Sequence, residues 1–370
     1  MRVLMTCGGT GGHINPAIAI ANTIKENIPE AEILFVGTKK GKENDLVPRA
    51  GYELKFVESE GIRRSLSLSN IRAVIRALIS PHQAKRVIRE FAPDVVVGTG
   101  GYACWPVLKG ASMLGVPTVV HESNAIPGMA VKKLQNSVGK ILVNFERTKD
   151  KLSAKNKVVR VGNPLMSSFS NMEKDACREK CGIPKDALFV LSYGGSGGAE
   201  FLNGIALEVM KGFVASNREV FFVHAAGARD YAATKARFDA LGLGDCPNIR
   251  LFEYIYDMPA YMAAADVVVC RAGAMTISEL SLMGKASVII PSPNVVDNHQ
   301  YKNAKVLADA NATCLLEEAG LDAEALWLRI STLLYDKEKR CAMERAVKQF
   351  ADADANERIF REIMSLVESK

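Results

Sequence analysis

The tightest constraint on the fold is an order of segments that occurs twice: a short apolar run, a turn of paired glycines, then an amphipathic stretch. It opens the chain as "RVLMTCGGTGGHINPAIAIANTI" and returns about half a chain later as "LFVLSYGGSGGAEFLNGIALEVM". Apolar runs bounded by turn residues, each followed by helical spacing, make a βαβ rhythm. "EILFVGT", "PDVVVGTG", "VPTVVHES" and "GKILVNF" continue it in the first half, and "EVFFVHAAG", "NIRLFEY", "ADVVVCRAG" and "KASVIIPSP" in the second. Strands joined by crossover helices form parallel sheets covered on both faces. The expected class is therefore α/β, with two Rossmann-like domains of similar plan.

A change of domain is expected near "VVRVGNPLMSSFSNMEKD", residues 158–175, where a strand gives way to Gly-Asn-Pro and a polar stretch. The closing segment "ERAVKQFADADANERIFREIMSLVESK" reads as one helix with no strand after it, free to pack back on the first domain. The expected division is residues 1–163, residues 164–345 and a C-terminal helix over 346–370. The 370 residues suffice for two or three domains.

Charge is unevenly spread. Residues 1–160 hold 24 Lys and Arg against 13 Asp and Glu, a balance of +11, while the rest hold 23 against 28, or −5. A basic first half expects an anionic partner: nucleic acid, a phosphorylated ligand or an acidic membrane face. No window has the apolar length of a spanning helix, and the N-terminal run breaks into glycines too early for a signal peptide. The expected compartment is the cytoplasm, with the eight scattered cysteines reduced. Cys177 and Cys181 lie a turn apart, but no histidine or second pair joins them, so no metal is expected.

Glycine turns after a strand let backbone N–H groups and a helix N-terminus face an anion. Started from Gly9, the dinucleotide pattern GxGxxG needs glycine at position 14 and meets Ile14; the P-loop pattern is absent. A third loop, "GTGGY", brings Gly100, Gly101 and Tyr102. His13, at the expected start of a helix, could cap or pack, contact phosphate, or act as a general base. "VHESNAIPG" sets His121, Glu122, Ser123 and Asn124 at a strand end. In "VVVCRAGAMTISELSLMGKASVIIP" the helix start at Ala274, Met275 and Thr276 can cradle a diphosphate. Glu279 can accept the hydroxyls of a ribose or be a solvated surface residue. Asn298, His299 and Gln300 follow the next strand. Asp352 and Asp354 have the Asp-x-Asp spacing of some metal-dependent sugar transferases but fall inside the final helical pattern, so they read as helix surface.

"GGTGGHINPA", "GTGGY", "HESNAIPG", "GNP", "YGGSGGA", "RAGAMTISE" and "DNHQYKNA" stand in the order found in the MurG family, which the chain resembles over nearly its whole length. That resemblance implies a GT-B glycosyltransferase, two Rossmann-like domains with parallel sheets facing a central cleft. It implies inverting transfer of N-acetylglucosamine from UDP-N-acetylglucosamine to the 4-hydroxyl of undecaprenyl-diphospho-muramoyl-pentapeptide (lipid I), giving lipid II for peptidoglycan. It also implies no cofactor, no metal and no nucleic acid. The expected partners are the donor, the undecaprenyl-linked acceptor, an anionic membrane surface at the cytoplasmic face, and other cell-wall synthesis proteins.

Carried over motif by motif, Ser196 and residues 274–276 would touch the diphosphate, Glu279 the ribose, Ile255 the uracil edge and Gln300 the sugar hydroxyls. Thr10, Gly11 and Gly12 with Asn124 would face the transferred sugar, and Gly100, Gly101 and Tyr102 the acceptor. His13 is the candidate base and Glu122 a weaker one. Many members carry arginine where this chain has Met166, with Arg160 nearby as a substitute. Residues 61–90, with Arg63, Arg64, Arg72 and Arg76 among Ile71, Val74, Ile75, Leu78 and Ile79, read either as a membrane-surface helix or as an ordinary basic helix covering the sheet. The alternatives are another GT-B UDP-sugar enzyme, such as an epimerase or a transferase to a soluble acceptor, and a non-catalytic UDP-sugar-binding protein.

Overall fold

The fold is taken from a computed structural model, which describes residues 1–58, 68–170, 172–295 and 298–369, with the side chains of 68–79 also outside the description. Of the basic segment 61–90, residues 61–67 and the side chains of every residue named in it lie outside the described residues, while the backbone from Leu68 is helical. Two compact units emerge: residues 1–166 with 353–370, and residues 167–352.

The first unit carries β1 (Arg2–Thr6), β2 (Glu32–Gly37), β3 (Glu53–Phe56), β4 (Val95–Gly98), β5 (Thr118–Glu122), β6 (Lys140–Val143) and β7 (Val158–Arg160). Among the described residues they form a parallel sheet in the order β3-β2-β1-β4-β5-β6-β7. Its helices are α1 (Gly11–Asn27), α2 (Glu43–Arg49), α3 (Leu68–Phe91), α4 (Cys104–Met113) and α5 (Met129–Leu134). Alternation along the strands decides which face each helix covers. Val3, Met5, Val95, Val97 and Val119 point into a core shared with α1, whereas Leu4, Val96, Val120 and Ile141 point into one shared with α4 and α5. Uninterrupted runs such as Val95–Val97 suit a sheet buried on both sides.

The second unit repeats the plan with β8 (Leu188–Tyr193), β9 (Val220–Ala225), β10 (Ile249–Phe252), β11 (Val267–Cys270), β12 (Ser287–Ile289) and β13 (Cys314–Leu315). Their order is β10-β9-β8-β11-β12-β13, again parallel. Its helices are α6 (Lys174–Cys181), α7 (Glu200–Val209), α8 (Tyr231–Ala240), α9 (Met258–Ala264), α10 (Ala274–Met283), α11 (His299–Asp309), α12 (Ala323–Tyr335) and α13 (Lys337–Lys348). At one end of β11, Asp266 accepts from Arg178 (2.7 Å), Lys174 (2.5 Å) and the Phe189 N–H (2.8 Å), tying α6 to the sheet.

The sequence pattern over 344–370 reads as one helix, and the structure corrects it to two: α13 ends at Lys348 and α14 spans Ala355–Glu368. Asp352 and Asp354 stand in the non-helical link, not on a helix surface. Short acidic side chains compete for local backbone hydrogen bonds and favour such breaks, and here the chain returns to the first unit. α14 buries Ile359 and Ile363 in the core beside α1. Asn356 exchanges two hydrogen bonds with the backbone of Leu165 (3.1 and 2.8 Å), and Lys140 pairs with Glu362.

Candidate active site

In each unit the strand order reverses beside the first strand, between β1 and β4 and again between β8 and β11. Ligands of open parallel sheets bind at the carboxyl ends of the strands flanking such a point. The glycine loops leave those four strands.

In the first unit the loops after β1 and β4 interlock. Gly100 has φ +112°, and a Cβ there would sit 2.5 Å from His13 Nδ1; Gly101 has φ +87°, and its Cβ would overlap the Gly8 carbonyl oxygen. These two glycines therefore let two loops of the protein meet, a use that spacing alone does not reveal. Thr10 precedes α1 with extended backbone and is exposed, as is Gly12, while Gly11 is buried; the Thr10 carbonyl accepts from the N–H groups of His13 (3.0 Å) and Ile14 (3.2 Å).

His13 lies in the first turn of α1 with Nδ1 3.1 Å from the carbonyl oxygen of Thr99. A carbonyl only accepts, so Nδ1 bears the proton of the neutral ring and Nε2 keeps the lone pair a base requires. Thr99 also donates its hydroxyl to the His13 carbonyl at 2.6 Å, fixing ring and backbone together. Tyr102 is exposed.

Glu122 ends β5 nearly buried. One oxygen accepts from the N–H (3.0 Å) and side-chain amide (3.1 Å) of Asn124, the other from the Gly128 N–H (2.7 Å). This carboxylate holds the loop before α5 in shape and, by taking the Asn124 amide nitrogen, leaves the side-chain Oδ1 as an acceptor. His121, one residue earlier, is buried with Nε2 2.8 Å from the Gly162 carbonyl; burial lowers its pKa to about 4, so it is neutral near pH 7. Met166, where many relatives are expected to carry arginine, packs against the first unit's core, and Arg160 Nε donates to the Asn144 carbonyl at 3.3 Å.

In the second unit, Ser196 stands half-buried in the loop after β8. Behind it runs a buried relay. Asn203 Nδ2 donates to the Ala226 carbonyl (3.0 Å), so its Oδ1 accepts from His224 Nε2 (2.9 Å), and His224 Nδ1 accepts from the Ser192 hydroxyl (3.0 Å). Burial lowers His224 to about 4, in keeping with its neutral tautomer. The relay fixes the Ala226 carbonyl beside Gly198, whose N–H a Cβ on Gly227 would overlap.

α10 begins at Ala274 after Gly273, placing the first-turn N–H groups of residues 274–276 at the end of β11. Glu279, 8% exposed, lies one turn on, and burial raises its carboxyl to about 7. Ile255 is buried, so it can offer a base only its backbone groups. Gln300 Oε1 accepts from the Ser292 N–H (2.9 Å), which orients the amide and leaves Nε2 to donate. The sequence reading missed Arg271, which donates to the Ile290 carbonyl (2.9 Å) and pairs with Glu318, anchoring the turn before α10. It also missed Thr99, His224 and Glu43; only a polar residue inside an apolar strand, as in "FFVHAA", hinted at one of them.

The glycosyltransferase family 28 N-terminal domain matches residues 3–143, and the family's C-terminal domain matches residues 188–359. Over 370 residues the chain is 40% identical to the "UDP-N-acetylglucosamine--N-acetylmuramyl-(pentapeptide) pyrophosphoryl-undecaprenol N-acetylglucosamine transferase" of Acetivibrio thermocellus, covering all of this chain and 99% of that one. The chain belongs to the MurG family of glycosyltransferases. Its relative of the same name in Alkaliphilus oremlandii is 38% identical with both chains fully covered. The crystal structure of Acinetobacter baumannii MurG superposes with a TM-score of 0.70 at 27% identity, covering 98% of this chain and 99% of that one. The family's fold is thus GT-B. A UDP-GlcNAc 2-epimerase from Neisseria meningitidis bound to UDP-GlcNAc reaches a TM-score of 0.68 over 99% of this chain and all of that one, but at 14% identity this is a likeness of fold alone. The relatives named above that match in sequence are transferases, so the epimerase alternative is not favoured.

Proposed function

We propose that this glycosyltransferase moves N-acetylglucosamine from UDP-N-acetylglucosamine onto the 4-hydroxyl of undecaprenyl-diphospho-muramoyl-pentapeptide, forming lipid II. The 40% identity over the whole chain to a transferase of that name carries the reading.

The donor falls to residues of the second unit. The first turn of α10 and the Ser196 loop offer N–H groups and a helix dipole to the diphosphate, Glu279 accepts the ribose hydroxyls, Ile255 reads the uracil edge through its backbone, and Gln300 Nε2 reaches a sugar hydroxyl. As UDP departs, charge develops on the diphosphate, and fixed dipoles stabilise it without reorganising. The acceptor falls to the first unit, with Gly100, Gly101 and Tyr102 against it and Thr10, Gly11, Gly12 and Asn124 toward the transferred sugar. His13 Nε2, its partner nitrogen held by Thr99, takes the hydroxyl proton. Attack by that hydroxyl inverts the anomeric carbon in one displacement. Glu122, with both oxygens committed to loop N–H groups and an amide, shapes the site and is the lesser candidate for the base.

Among the described residues no helix is long and apolar enough to cross a membrane. A polyprenyl acceptor then calls for association with the membrane surface, which the +11 balance of residues 1–160 favours at an anionic cytoplasmic face, where other cell-wall enzymes would be partners. UDP release from UDP-N-acetylglucosamine, measured with and without a short-chain polyprenyl-diphospho-muramoyl-pentapeptide, tests the reading. Release that requires the acceptor supports it; release without acceptor, or from UDP-glucose equally well, refutes it.

A further inference from the structure

Glu43 opens α2 in "GKEND", a segment with the look of a surface turn, yet its side chain is 0% exposed. Its oxygens are divided between two loops: Oε2 accepts from the Gly9 N–H (2.9 Å), and Oε1 from the N–H (2.9 Å) and hydroxyl (2.8 Å) of Thr38. Room for the carboxylate comes from three missing side chains. A Cβ at Gly8 would lie 3.0 Å from Oε1, one at Gly37 2.7 Å from Cγ, and one at Gly41 would run into Oε2. Asn44 closes the turn from outside, donating to the carbonyls of Thr38 (3.0 Å) and Gly41 (2.7 Å).

Gly9 has φ +91° with open space around its absent Cβ, so the Glu43 bond, not packing, sets the direction of its N–H. That N–H points inward at a carboxylate and is not offered to a ligand. A glycine loop that cradles phosphate turns such amides outward; this one spends its amide on holding its own shape. Downstream of Gly9 come Thr10, whose carbonyl starts α1, and His13, pinned to Thr99.

We propose that Glu43 is a positioning residue for the transfer, holding the first glycine loop so that Thr10 and His13 stand at their working places. The loops after β1, β2 and β4 then form one interlocked unit: Glu43 joins the first two, and Gly8 against Gly101 joins the first to the third. The inference rests on the reading of the first unit as the side that holds the acceptor and the base.

The test is a double-mutant cycle on the full-length enzyme, with donor and short-chain acceptor. In Glu43→Gln one oxygen becomes an NH2 group, so either Gly9 or Thr38 meets a donor with a donor. The expected result is a kcat lower by about 10- to 100-fold, a KM for UDP-N-acetylglucosamine within about twofold of wild type, and no further loss when Glu43→Gln is added to His13→Ala. Glu43→Asp, which keeps the carboxylate but is shorter, should recover part of kcat. If Glu43→Gln does not fold, Thr38→Val, which removes only the hydroxyl donor, should lower kcat in the same pattern. Wild-type kcat in the tested variant, or an effect that multiplies fully with that of His13→Ala, overturns the positioning role. Unchanged kcat in His13→Ala alone overturns the base assignment and leaves Glu43 to be judged by its own split between kcat and KM.

Discussion

With Glu279 on the ribose as proposed, its raised carboxyl should make donor affinity depend on pH in a defined direction. Burial brings this group to about 7 in the free protein, against an ordinary value of 4.5. Two ribose hydroxyls donate best to the ionised form, so binding must first remove the proton from whatever fraction is neutral. With a free-state value near 7, the factor 1 + 10^(7 − pH) falls from about 11 at pH 6 to about 1.1 at pH 8, so affinity should rise about tenfold across that interval. UDP-N-acetylglucosamine is the ligand to use, because both its phosphates are esterified and do not titrate there, whereas free UDP does. Isothermal calorimetry in two buffers of different ionisation enthalpy would also count the proton released. Glu279→Gln should bind more weakly at pH 8 and lose the slope. The stability sign runs the other way. A carboxyl raised on folding contributes most below about 4.5 and its contribution is lost as pH rises through about 7, by roughly 3 kcal/mol. Glu279→Gln should therefore melt above wild type at pH 8 while binding donor worse. A wild-type affinity flat between pH 6 and pH 8, or a variant that keeps both affinity and slope, would refute the ribose assignment.

His13→Gln should lower kcat by about 10²- to 10⁴-fold with little change in the donor's KM, read from steady-state UDP release. Gly101→Ala combines a left-handed backbone with a Cβ that overlaps the Gly8 carbonyl; a lower melting temperature, by about 1–3 kcal/mol of stability, should accompany loss of transfer. His121 and His224, both depressed by burial from 6.5 to about 4, contribute stability that is full above about 6.5 and lost as pH falls through about 4. Thermal denaturation between pH 7 and pH 4.5 should show the decline, and replacing His224 by Gln should make it shallower.

The fold was legible because its signal is local and repeated. Val95–Val97 and Val267–Val269 are strands by composition, and "CRAGAMTISE" marks the end of β11, a turn and the start of α10 at the positions the structure gives. The break between α13 and α14 was less so: "AVKQFADADANERIF" keeps helical spacing across a point where the chain changes unit, and periodicity carries no record of that. The candidate site residues stood out as motifs, but which of them touch one another did not. The motif does not reveal that Gly100 and Gly101 also make room for the ring of His13 and the Gly8 carbonyl. Thr99 is one more polar residue in "GTGGY" until its carbonyl settles which nitrogen of His13 bears the proton. Such facts depend on pairs far apart in the chain, His13 and Thr99 by 86 residues, and spacing along the chain cannot supply them.

Four buried carboxylates show how a shared residue type can be sorted by its partners. Glu43 and Glu122 each accept three hydrogen bonds from loop N–H groups and nearby side chains, and Asp266, despite its burial, is held below the usual carboxylate range by Lys174, the Phe189 N–H and Arg178. In all three the protein itself supplies the donors, which is what a structural role requires. Glu279 differs: burial raises it, and among the described residues no donor or cation offsets the shift. A carboxyl buried without compensation costs stability, and a chain keeps such a cost where a ligand repays it. Glu279 stands one turn inside α10, close to the first-turn N–H groups proposed to hold the diphosphate, and a ribose diol brings donors of the kind its carboxylate would accept. The contrast among the four, more than the motif around any one of them, supports the proposal that Glu279 takes the ribose.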